Sequence, residues 1–191
     1  MTQCRGCLAV LAAVVVVTSI EPRLALADEA GPRTEQVAGT FQASPENAWT
    51  RTCPGEDGPY LEIRGRFVGS IITTEPRLTG RLEVRAHALV NQVTGLGSFE
   101  GAFEIKPAAG GPGGHGRFFT VVTERGLNHG FAHGKVGGED DDKAANIFAR
   151  FQSTVDANLN IVGQLGGVGD PRTPAVIQSG RCSGPWTRVG P

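Results

Sequence analysis

The chain has 191 residues, with 18 Lys and Arg against 19 Asp and Glu, for a net charge of −1. Both signs are interspersed, which argues against a basic nucleic-acid stripe. Its 28 glycines exceed ordinary usage and follow no three-residue period, which excludes a collagen-like helix.

The N-terminus reads as a secretory signal. Arg5 precedes an apolar run from Leu8 to Ile20, and Ala25-Leu26-Ala27 offers a small-x-small cleavage site before Asp28-Glu29. About thirteen apolar residues fall short of the roughly twenty that a membrane-spanning helix needs. Residues 1–27 are therefore expected to be cleaved, and 28–191 to form one domain with a short N-terminal segment. No transmembrane segment is expected in the mature chain. The product is expected to be secreted, periplasmic or at the cell surface.

After a weak strand candidate at 36–42, alternation with a period of two dominates. In 61–71, Leu61, Ile63, Phe67 and Ile71 share one face with two glycines, against Glu62, Arg64, Arg66 and Ser70. Glu75-Pro76-Arg77 is a connection. Leu82, Val84, Ala86, Ala88 and Val90 alternate with Arg81, Glu83, Arg85 and His87. Phe99, Gly101, Phe103 and Ile105 then alternate with Ser98, Glu100, Glu104 and Lys106. The Gly/Pro-rich stretch 107–116 predicts a flexible loop. Shorter strands are expected at 118–122 and 130–136, followed by an acidic turn at 137–143. Strands at 145–155, 161–165 and 175–182 close the series, with Asp156-Ala157-Asn158 as hairpin chemistry.

No helical period of useful length interrupts these runs. The expected fold is all-β, a single antiparallel β-barrel of about eight strands, with a β-sandwich as the alternative.

Cys4 and Cys7 lie in the leader, so Cys53 and Cys182 remain to form one disulfide. Trp49 and Trp186 each lie four residues outside that pair, and the bond would bring them together as an end seal or as an aromatic lip.

His129, Phe131, His133 and Lys135 share one strand face. The two histidines would be about 13 Å apart, too far to share a metal. Four adjacent acids, Glu139 to Asp142, lack the ligand spacing of a calcium loop and read as a solvated turn. No phosphate loop and no serine-hydrolase elbow is present. Neither a metal site nor a cofactor is expected.

The stretch Gly95-Leu96-Gly97-Ser98-Phe99-Glu100-Gly101-Ala102-Phe103-Glu104-Ile105, in its long meander, resembles the small secreted barrels of allene oxide cyclase and dirigent proteins. That resemblance implies an eight-stranded barrel with an apolar cavity for a small organic ligand, and it transfers no catalytic residue. Ile63, Phe67, Val84, Phe99, Phe103, Phe131 and Phe151 are the candidates to line such a cavity, unless they form an ordinary core.

The expected function is an exported, non-enzymatic barrel that binds a small apolar or amphipathic molecule or acts as a surface interaction domain. One alternative is a cyclase or isomerase, with His129 or His133 as its polar group. The other is a purely structural envelope protein. Nucleic acid is not an expected partner.

Overall fold

The computed structural model describes residues 35–123, 127–137, 144–166 and 185–189. Nine strands run in chain order: β1 (Gly39–Gly55), β2 (Gly58–Thr73), β3 (Gly80–Asn91), β4 (Gly97–Pro107), β5 (Gly114–Val122), β6 (Leu127–Val136), β7 (Ala145–Val155), β8 (Ile161–Leu165) and β9 (Thr187–Val189). The first eight form an antiparallel meander that closes where β8 pairs with β1. The fold is thus the expected barrel and not a sandwich. β9 pairs with β1 at Ala48–Thr50, on the same edge as β8 but further along.

Following paired residues around the wall, Gly39 leads through Leu165, Phe151, Gly130, Thr120, Phe99, Ala88 and Ile63 to Thr50. One circuit returns to β1 eleven residues further on, one of them Glu46 at the bulge between Pro45 and Asn47. The remaining stagger of ten tilts the strands by about 40°, the range in which an eight-stranded barrel is filled by side chains.

Side chains do fill it. Phe41, Phe151, Phe118 and Phe99 form an edge-to-face chain through the interior, with centroids 5.1 to 6.0 Å apart. Phe67, Leu82, Val84, Ile105 and Ile161 are buried around it. A short 3-10 turn, Pro76–Leu78, places buried Leu78 against Gly114 at one end of the barrel. Asn91 stands near the other end and accepts hydrogen bonds from the Val93 and Thr94 amides.

Two expectations need correction. The weak candidate at 36–42 is the start of a 17-residue strand, β1. The predicted loop 107–116 is shorter, because β5 begins at Gly114. The predicted last strand, 175–182, lies outside the described residues, and the terminal strand seen is Thr187–Val189. Most of the acidic turn, 138–143, also lies outside them.

Candidate functional site

Six of the seven predicted cavity residues face inward. Ile63, Phe67, Val84 and Phe99 are buried, and Phe103 and Phe151 pack against the core cluster. Phe131 does not join them. It stands outside, 42% exposed, because the inward positions of β6 are Asn128, Gly130, Ala132, Gly134 and Val136. His129 and His133 share the face of Phe131, so neither points to the interior. The His133 ring lies near Phe119 and Phe131, at 6.5 and 6.3 Å.

The buried polar groups inside are Thr120, Asn128 and Ser153, and the Asn128 amide donates to the Ser153 hydroxyl at 3.3 Å. None of the three ionises at ordinary pH. Among the described residues no acid or base side chain points into the barrel.

The chemistry lies on the outer wall, in an open groove of about 670 Å³. Its floor is the backbone of Gly65, Ala86 and Gly101, which share an inward row with Ala48. Nothing larger than a methyl group fills that row, so the strands approach closely. A Cβ on Gly65 would lie 2.7 Å from the Ala48 Cα, and one on Gly101 would strike the Arg85 carbonyl. Trp49 from β1 and Phe119 from β5 stand at the two sides. Between them are Arg64 and Arg66 of β2, Arg85 and His87 of β3, Glu100 of β4 and Arg117 of β5, with Asn47 beside Trp49.

Two ion-pair clusters anchor part of this wall. Glu62 is only 3% exposed although it faces outward. It meets Arg51 Nε at 2.6 Å, an Arg64 guanidinium nitrogen at 2.7 Å and His87 Nε2 at 3.0 Å. Burial raises its pKa, but hydrogen bonds from Arg51, His87 and Arg64 outweigh that and hold the carboxyl below its ordinary value. The Trp186 ring covers the same cluster, 4.3 Å from the Arg51 guanidinium and 4.8 Å from that of Arg64. β9 follows at once and sets Arg188 opposite Trp49. The C-terminal segment thus lies against the β1 side of the groove.

In the second cluster, Arg66 bridges Glu46 at 2.8 Å and Glu83 at 2.6 Å. Glu83 also binds Arg81 and Lys106, each at 3.2 Å. The Arg66 and then the Lys106 hydrogen bond lower the Glu83 pKa to about 2.

Arg85 and Arg117 differ from these. Each is exposed, and neither has an acidic partner among the described residues. They flank Ala102 in one lateral row, about 10 Å apart across two strand spacings. Arg85 also stands directly opposite Arg66, a like-charge pairing that works against the sheet.

Cys53 is buried on β1, two residues beyond Arg51. Cys182 lies outside the described residues, and so does its pairing with Cys53.

The charged faces lie outward as the alternation predicts, but the groove has no local signature in the sequence. Its walls come from five strands, and only their register brings Trp49, Arg85 and Arg117 to one place. No protein-family model, no curated protein and no solved structure matches the chain.

Proposed function

We propose that the protein is an exported, non-enzymatic binding barrel that takes an amphipathic anion on its outer wall. One observation carries this reading: among the described residues, Arg85 and Arg117 have no acidic partner in a groove where Arg64 and Arg66 are both ion-paired. Two arginines about 10 Å apart on one outer row, in a groove whose sides are Trp49 and Phe119, suit a carboxylate, sulfate or phosphate attached to a flat apolar group.

The resemblance to allene oxide cyclase and dirigent barrels supports a binding barrel, while the packed aromatic interior favours the outside as its working surface. His129 and His133, the polar groups expected for a cyclase or isomerase inside the barrel, lie on the outer face of β6. Export rests on the leader, with its apolar run 8–20 and the site at Ala25-Leu26-Ala27. N-terminal sequencing of protein recovered from the host should then begin at Asp28.

The binding test uses naphthalene-2-carboxylate, with 2-naphthylmethanol as its uncharged counterpart. Tryptophan emission should respond to the acid at lower concentration than to the alcohol, because Trp49 lines the groove. Substituting both Arg85→Ala and Arg117→Ala should abolish the preference for the acid. An unchanged preference would remove the groove from consideration.

A further inference from the structure

We infer that the natural ligand is an extended acidic glycan, with anionic groups recurring along a chain of sugar rings. This rests on the outer-wall reading above and names its ligand.

The groove does not end the feature. Beyond Phe119 the outer wall continues over β5, β6 and β7 as a cluster of aromatic rings with an arginine at each end. One lateral row runs Arg117, His133, Phe148, and the next runs Phe119, Phe131, Arg150. The ring planes are close to parallel, at 6° for Phe119 with His133, 21° for Phe131 with His133 and 29° for Phe131 with Phe148. Phe119, Phe131 and Phe148 are 50%, 42% and 72% exposed. Core packing does not account for them, since the inward neighbours on these strands include Gly130, Ala132, Gly134 and Ala149. An exposed cluster of large apolar side chains marks an interaction surface.

Length and spacing then select the ligand. From Trp49 on β1 to Arg150 on β7 the track crosses six strand spacings, about 29 Å. A compact molecule is normally held in a pocket that buries most of it, which this open wall does not offer. A chain gathers its contacts along its length instead. The arginines without acidic partners among the described residues are Arg85 on β3, Arg117 on β5 and Arg150 on β7; the first two are about 10 Å apart, and Arg150, one row over, is about 12 Å from Arg117. Aromatic rings lie between and beside them. Charges at that interval, with apolar ring faces between Arg117 and Arg150, match a polymer that carries a carboxylate or sulfate on alternate sugars. A single-stranded nucleic acid carries a phosphate on every unit, a closer spacing than these arginines match.

The test titrates the purified protein with hyaluronan oligosaccharides of increasing length, with neutral dextran and oligothymidylate as controls. Binding should strengthen with chain length. Phe148→Ala and Arg150→Ala, both outside the groove, should each weaken the longest oligosaccharide by roughly tenfold. Neither should alter binding of naphthalene-2-carboxylate. The glycan assignment is overturned if affinity does not depend on length, if dextran binds as well, or if oligothymidylate binds more tightly. It is also overturned if both variants bind the longest oligosaccharide normally. Loss of naphthalene-2-carboxylate discrimination belongs to the groove residues alone, so failure of the groove reading is seen separately in Arg85→Ala with Arg117→Ala.

Discussion

Glu62 meets three cationic or potentially cationic side chains, and its carboxyl is almost fully covered by them and by Trp186. Replacing it by Gln removes the charge and keeps the shape. Arg51 would then be left with its guanidinium largely shielded, at 14% side-chain exposure, while Arg64, at 56%, could turn to water. Glu62→Gln should therefore cost about 1–3 kcal/mol, below the range for a fully buried pair, read from urea unfolding at pH 7. The same residue shapes the response to acid. Glu62, Glu75, Glu83 and Asp156 all have folded pKa values below their ordinary ones. For a depressed carboxylate the unfolded chain takes up the proton first, so the stabilisation is complete above the unfolded value and fades as pH falls through the folded one. Stability should hold above the ordinary glutamate value of 4.5 and decline from there toward about 2, where Glu83 finally protonates. Melting temperatures followed from pH 7 to pH 2 would show this, and Glu62→Gln should make the acid limb shallower. A flat profile through that window would mean that these ion pairs contribute nothing.

At the scale of elements, β1 carries more than a strand usually does. Its first part pairs with β8 at Gly39–Ala43 and its later part with β9 at Ala48–Thr50, with the bulge at Glu46 between them. β9 has only three paired residues, too few to stay in place by backbone hydrogen bonds alone. Trp186, just before it, supplies the missing contact over Arg51 and Arg64. Trp186→Ala should cost roughly 1–2 kcal/mol. Faster amide exchange should follow at Ala48–Thr50 and not at Gly39–Ala43, where β8 still covers the edge. Uniform exchange along β1 would show that β9 holds without its tryptophan. These two strands also mark where the fold became hard to read. β2, β3 and β4 are legible because Leu61 to Ile105 alternate with charges on a sheet wet on one side. β1 hides its period behind Pro45, the bulge, and an inward Ala48 beside an outward Trp49. β6 reads inverted, since its inward positions are small and its aromatic, Phe131, faces out. The groove was less legible still. Arg85 and Arg117 are 32 positions apart, and nothing local to either distinguishes it from any other arginine on a strand's wet face.

For the whole molecule, closure joins the first strand to the last ones across a short seam. β8 gives five paired residues and β9 three, against sixteen between β1 and β2. Contacts so distant in sequence form late and at high entropic cost. We propose that the Cys53–Cys182 disulfide fastens this seam from outside. Cys53 is buried on β1, on the face of Trp49 and Arg51. Cys182 is only four residues before Trp186, whose ring lies 4.3 Å from Arg51. Four extended residues reach at most about 14 Å, a span long enough for such a bond. The bond would close a loop of about 130 residues, which the chain-entropy model values at up to about 5 kcal/mol. The processed protein should therefore show no free thiol to a thiol reagent in denaturant, and two after reduction. Cys182→Ser should lower unfolding stability by about 2–5 kcal/mol and free the Cys53 thiol. Because Trp49 and Arg64 line the groove beside that seam, the same variant should weaken naphthalene-2-carboxylate binding at temperatures where the barrel remains folded. Two thiols titrating without reductant would show that β9 and Trp186 hold the barrel shut by contact alone.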